Sequence, residues 1–346
     1  MRMINYQEAI KETIHLEMKR DKNVYVCGIG ITSHAKAFGT TEGIEEKFGS
    51  QRCFDTPISE DAMTGFVFGS AVKGLKPIHV HIRSDFFILG MNQLANIISP
   101  FQYYVHGSIP LPIVFRVIIG RGFGQGAQHS KSLLSFFTHL PGFKVIAPSS
   151  PYDVKGLLTS SIRNNNPVIF FEHRWLYWSE QNVKEDSYEI EIGKGKVLKK
   201  GQDITVVAIS WMNVEALLAS EILKKRNINI EIIDPRTLFP LDKNIIINSV
   251  RKTRKCLIVD CDWMFCGISA EIASIISKEC FNYLQKPVER LGFEHIPCPT
   301  ARHLENSFYP NAETIIRKVE KILDLEPMNL DGIEFFSNEK KFKGPL

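Results

Sequence analysis

Lys144-Val-Ile-Ala147, then Ser150-Pro-Tyr-Asp-Val-Lys-Gly-Leu-Leu-Thr-Ser-Ser-Ile-Arg163, then Pro167-Val-Ile-Phe-Phe-Glu172 read as strand, helix and strand. The two outer runs are short and almost wholly apolar, as strands buried on both faces are. Ser150 precedes the middle run as a capping residue, and Pro151 fits its first turn, where a missing N–H costs nothing. A strand–helix–strand unit implies a parallel pair with a helical crossover. The same alternation continues on both sides. Towards the N-terminus come an amphipathic helix over 4–20 with Ile10, Ile14 and Met18 on one stripe, a strand at Asn23–Cys27, a small-residue helix closing at Gly69–Gly74, and strands at Pro77–Ile82 and Pro110–Arg116. Towards the C-terminus, residues 178–200 turn polar, and a second alternation begins. Strands are expected at Ile204–Ile209, Ile228–Ile233, Lys255–Asp260 and Val288–Gly292, with helices at 213–225, 242–252 and 268–283. The reading is α/β, with two parallel-sheet domains. The boundaries are 1–180 for the first domain, 181–200 for a linker, 201–325 for the second domain and 326–346 for a polar tail.

Composition narrows the function classes. The 346 residues are 44% hydrophobic, and 42 basic side chains nearly balance 38 acidic ones, for a net charge of +4. Arg251-Lys252-Thr253-Arg254-Lys255 is a short basic cluster at a helix end, too local for a nucleic-acid footprint. No run approaches the ~18 apolar residues of a membrane span, and the N-terminal residues do not resemble a signal peptide. Seven cysteines at irregular spacing, with no CxxC pair, point to free thiols in the cytoplasm and away from a zinc site at Cys261, Cys266 and Cys280. Gly28-Ile-Gly30-Ile-Thr-Ser33 follows a strand but lacks the third glycine and the ribose-binding acid of a dinucleotide site. Gly120-Arg-Gly-Phe-Gly-Gln-Gly126 lacks the Lys-Ser/Thr ending of a phosphate-binding loop and reads as a loop of close backbone approach.

The segment Asp55-Thr56-Pro57-Ile58-Ser59-Glu60 resembles a signature of the beta subunits of thiamine-diphosphate-dependent 2-oxoacid dehydrogenases. The resemblance continues in order through Gln128-His129-Ser130, His139–Val145, Pro148–Pro151, Lys155–Leu158, Ile162–Pro167, Ile233–Pro240 and Ala270–Ile272. It implies a transketolase-like pyrimidine-binding domain followed by a transketolase C-terminal domain. It also implies roles. Glu60 would hydrogen-bond the pyrimidine ring nitrogen of the cofactor, so that the 4′-amino group can take a proton from C2 of the thiazolium. Phe86 would stack on the pyrimidine and Ile58 would touch it, with Phe87 the alternative inward ring. His129 would act near the substrate carbonyl. Ile113, Ser161, Ile162, Asn164 and Asn166 would surround a structural potassium through backbone carbonyls.

The chain departs from this pattern in places. Ile29 and Gly30 stand where the family usually carries acids. His79-Val-His81-Ile-Arg-Ser84 replaces a more acidic or amide-bearing strand, and Lys131 replaces a frequent glutamine. No Gly-Asp-Gly motif for diphosphate and magnesium is present. The resemblance therefore implies an alpha-type partner carrying that half, an α2β2 assembly with Trp263-Met264-Phe265 near a two-fold contact, a small 2-oxoacid substrate, and a lipoyl acyltransferase or another acceptor. The alternatives are half of a split transketolase or sugar-forming synthase, and a non-catalytic structural partner.

Overall fold

The computed structural model describes residues 1–120 and 124–335. Residues 121–123 of the glycine-rich run, and 336–346 of the polar tail, lie outside the described residues. The chain divides into two units, the first Met1–Ile192 and the second beginning at Gly193.

The first unit holds β1 (Arg2–Asn5), α1 (Tyr6–Arg20), β2 (Val24–Gly28), α2 (Ile44–Phe48), β3 (Cys53–Asp55), α3 (Glu60–Val72), β4 (Lys76–His81), α4 (Ser84–Phe87), α5 (Ser99–Tyr104), β5 (Val114–Ile119), α6 (Leu134–Thr138), β6 (Lys144–Ile146), α7 (Pro151–Ile162), β7 (Val168–His173) and β8 (Glu180–Val183). Six of these strands form a parallel array in the order β6-β7-β5-β4-β2-β3. Every residue of β5 and β7 is buried, as helices on both faces of a parallel sheet require. Helix α1 opens on a capping box: the Asn5 side chain accepts the Glu8 N–H at 2.7 Å, and Glu8 accepts the Asn5 N–H at 2.9 Å. Ile10, Ile14 and Met18 form its buried stripe. Buried Glu17 then takes Arg163, at the end of α7, at 2.7 Å, which pins the two helices together.

Parallel strands bring their C-terminal ends to one edge, where ligands bind in sheets of this kind. Two local devices shape that edge. A Cβ on Gly28, at the end of β2, would overlap the Val80 carbonyl of β4, so only glycine lets the strands approach there. Asp55, at the end of β3, accepts the Ile31 N–H at 2.7 Å and the Thr32 hydroxyl at 2.9 Å, fixing the turn after β2. The Gly28-Ile-Gly30 motif is thus a packing turn.

The second unit holds β9 (Lys196–Lys199), β10 (Ile204–Ala208), α8 (Met212–Leu223), β11 (Ile230–Asp234), β12 (Thr237–Phe239), α9 (Lys243–Thr253), β13 (Cys256–Trp263), α10 (Ile268–Glu279), β14 (Glu289–Phe293), α11 (Arg302–Phe308) and α12 (Ala312–Ile322). Its sheet runs β14-β13-β10-β11-β9, parallel except for β9 at the edge.

Three expectations shift. Residues 2–5 precede the helix as β1, paired antiparallel with β8. The strand expected at Pro110–Arg116 begins only at Val114 and runs to Ile119, because Pro110 and Pro112 have no N–H to give a ladder. The polar stretch 181–200 carries most of β8 and all of β9. Among the described residues, no helix is long and apolar enough to cross a membrane.

Candidate active site

The site begins where β3 ends. Asp55-Thr56-Pro57 turns the chain, and Glu60 becomes the first residue of α3. Its neighbour Ser59 makes no capping bond, and the Glu60 carboxyl has no hydrogen-bond partner among the described residues. Only the Glu60 backbone carbonyl is engaged, by the Thr64 hydroxyl at 2.6 Å. A side chain 9% exposed with an unmatched carboxyl is an expensive arrangement unless something else meets it. What it meets is a small cavity with about 20 Å³ of water-accessible space, lined by Ile29, Glu60, Met63, His79, His81 and Phe86 among others.

Phe86 reaches this cavity and Phe87 does not. Phe87 is fully buried against His81, Phe115 and Phe137, with ring centroids at 4.7, 5.3 and 4.8 Å. Phe86 is half-buried and meets the His129 ring edge-to-face at 5.4 Å. Two bonds hold that meeting. The Ser84 hydroxyl donates to the Lys131 carbonyl at 2.7 Å, and the Lys131 ammonium reaches Asp85 at 2.9 Å. Lys131 thus ties the loop bearing His129 to α4.

Of the residues singled out from the sequence, Glu60 and Phe86 share the cavity and His129 adjoins it through Phe86. Ile58 stands apart, 84% exposed in the turn before α3. The five residues of the expected cation site gather at another corner, where the end of α7 and the turn 164–166 meet the approach to β5. There the Ile113 carbonyl accepts the Val168 N–H at 2.8 Å, the Ser161 carbonyl accepts the Asn164 N–H at 3.2 Å, and the Asn165 carbonyl accepts the Leu111 N–H at 2.8 Å.

The cavity also has a floor that no role had been given from sequence. His79 and His81 stand two apart on β4 and so share one face of the strand. His81 Nε2 lies 3.1 Å from His79 Nδ1. Burial pushes His79 down to about 3, and burial together with its neighbour pushes His81 well below the ordinary histidine range. Both rings are therefore neutral at physiological pH. The spacing of the two histidines in an apolar strand was the available signal.

Residues 2–179 match the family model of the transketolase pyrimidine-binding domain, and residues 193–315 that of the transketolase C-terminal domain. The pyruvate dehydrogenase E1 component subunit beta of Rickettsia bellii is 39% identical over 319 residues, 92% of this chain and 98% of that one. This chain belongs to the transketolase-like E1 beta-subunit family. The beta subunit of acetoin:2,6-dichlorophenolindophenol oxidoreductase from Bacillus subtilis, a further relative, is 35% identical over 95% of this chain and 99% of its own length. Among solved structures, a split-gene transketolase described as an inactive beta4 tetramer aligns with a TM-score of 0.75 over 94% of this chain and 99% of that one. At 21% identity that likeness is one of fold. For an E1 beta-type chain, Glu60, Phe86 and their shared cavity lie in the domain that bears the pyrimidine-binding name.

Proposed function

We propose that this chain supplies the aminopyrimidine half of a thiamine diphosphate site in a 2-oxoacid dehydrogenase, and that an alpha-type chain supplies the diphosphate and magnesium half. The observation that carries this reading is the unmatched Glu60 carboxyl, facing the same cavity as the Phe86 ring. A carboxyl there can hydrogen-bond a ring nitrogen and share a proton with it, and a flat ring beside it can hold a flat heterocycle in one orientation. When bound, thiamine diphosphate supplies a nucleophilic carbon for attack on the 2-oxo group, with release of carbon dioxide. His129, held beside Phe86 by the Lys131–Asp85 tie, would donate a proton to the substrate's keto oxygen. The remaining fragment would leave as an acyl group on the lipoyl disulfide of an acyltransferase, which takes up the two electrons as its S–S bond breaks, or on another oxidising acceptor.

The partner follows from what this chain does not carry and from what it exposes. It has no Gly-Asp-Gly motif. Ile58, Phe66 and Leu89, on the segments that frame the cavity, are 84%, 49% and 59% exposed, as suits a surface covered by another chain. We read the assembly as α2β2. The carbonyls around Ile113, Ser161, Ile162, Asn164 and Asn166 retain second lone pairs that could hold a potassium ion at the end of α7. Seven unpaired cysteines fit the reducing cytoplasm.

Reconstitution tests this. The chain mixed with its alpha-type partner, thiamine diphosphate and magnesium should release carbon dioxide from a 2-oxoacid, and neither chain alone should. Release by this chain alone, or a mixture that only transfers ketol groups between sugar phosphates, would contradict the proposal.

A further inference from the structure

Buried side chains that can carry protons are usually committed to a partner at every polar atom. The His79–His81 couple is committed only between the rings. The contact is His81 Nε2 to His79 Nδ1, and neither ring has another hydrogen bond among the described residues. That leaves His79 Nε2 and His81 Nδ1 unmatched on rings that are 2% and 5% exposed and that line the Glu60 cavity. Apolar rings pack beside them: Phe115 lies 6.0 Å from His79, and Phe87 lies 4.7 Å from His81. Among the described residues no carboxylate is bonded to either ring, so neither imidazole is held in one tautomer by a fixed acceptor there.

Two neutral imidazoles in series have a specific capability. With the shared proton on His81 Nε2, His79 Nε2 also bears a proton and His81 Nδ1 is bare. If His81 Nδ1 takes up a proton, the shared proton crosses to His79 Nδ1, and His79 Nε2 releases its own. One proton enters and one leaves, two N–H bonds form and two break, and at the end of the transfer neither ring carries a charge. A permanently charged histidine beside Glu60 would instead favour the ionised carboxylate and work against its proton-sharing role.

We propose that His79 and His81 form a neutral two-ring proton relay that serves the Glu60 cavity, passing protons between the carboxyl's ligand and the cavity water. The proposal rests on the reading of Glu60 as the acid that activates the cofactor. It adds two residues to that function, with a role distinct from core packing.

The first test needs no cofactor. The full chain has ten histidines, and labelling them with ¹⁵N makes the ring nitrogens of His79 and His81 visible. A relay predicts that both rings stay neutral between about pH 6 and 8, with nitrogen shifts averaged between bare and protonated values by tautomer exchange. A single frozen tautomer on each ring would overturn it. The second test uses the reconstituted complex and proton exchange at C2 of bound thiamine diphosphate. His81→Phe keeps the ring and loses the nitrogens, whereas His81→Gln keeps a hydrogen bond to His79 but cannot pass a proton on. A relay predicts exchange slowed about ten-fold or more in both variants, within the range of acid–base help. Wild-type exchange in His81→Gln would reduce the pair to a structural hydrogen bond and overturn the relay. Glu60→Gln separates the two layers: slow exchange in Glu60→Gln with normal exchange in both His81 variants removes the relay alone, and normal exchange in Glu60→Gln removes the reading beneath it.

Discussion

Two buried polar clusters grow from the same parallel sheet and are built in opposite ways. On β5 and β7, Arg116 and Glu172 form a fully buried ion pair. Arg116 Nε meets Glu172 Oε1 at 2.5 Å, and Nη2 meets Oε2 at 2.8 Å. The Tyr177 hydroxyl donates to the same carboxylate at 3.0 Å, and Arg116 Nη2 donates to Thr40 at 3.0 Å. Burial alone would lower the Arg116 pKa, but the adjacent carboxylate holds it above its ordinary value. Near the ends of β3 and β4 lies the other cluster, Glu60 over His79 and His81, with one bond between the rings and none to the carboxyl. In the first cluster both charges are committed within the chain, and only Arg116 Nη1 lacks a partner among the described residues. The open one keeps its donors and acceptors for something that is not part of the chain. On the proposed function, the contrast separates residues that hold the first unit together from residues that would work in it.

The largest effect expected is on the matched side. Arg116→Met strands the Glu172 carboxylate in the interior and should cost about 3–5 kcal/mol of stability in a denaturant titration. A loss below about 1 kcal/mol would mean the pair is not the buried, committed unit described. The adjacent phenylalanines sharpen the same contrast with one chemistry. Phe87→Ala empties a core position packed by three rings and should cost about 3–5 kcal/mol. Phe86→Ala, half-buried at the cavity, should cost only about 1 kcal/mol, yet should weaken cofactor binding in the reconstituted complex while Phe87→Ala is judged by stability alone. Equal stability losses would erase the distinction between the two positions.

Much of this was legible in the sequence, for reasons that differ along the chain. The apolar runs of β5, β7, β10 and β13 announce themselves because strands buried on both faces have no polar positions to disguise them. β1 does not, since Arg2–Asn5 is a four-residue strand whose partner β8 lies far along the chain, and Asn5 reads first as the cap of α1. Sequence alone leaves Phe86 and Phe87 as alternatives for the ring facing the cavity. Ser84–Phe87 is a helical turn, so adjacent side chains point about a quarter-turn apart, and packing decides which of them is core. Glu60 could be singled out only through the surrounding motif, because an acid at a helix start looks like a cap. The histidine couple carried a readable signal, two titratable residues at strand spacing. Its neutrality comes from Phe115 and Phe87, which only the folded sheet brings alongside.

The most direct test of the account is Glu60→Gln in the reconstituted complex, followed by hydrogen–deuterium exchange at C2 of bound thiamine diphosphate. The amide keeps the side chain's shape and removes its acid. Global stability should change by less than about 0.5 kcal/mol, since the carboxyl has no partner to lose, and the cofactor should still bind. Exchange should slow by about 100-fold or more. Exchange at the wild-type rate, with cofactor bound and the fold intact, would show that Glu60 is not the activating acid.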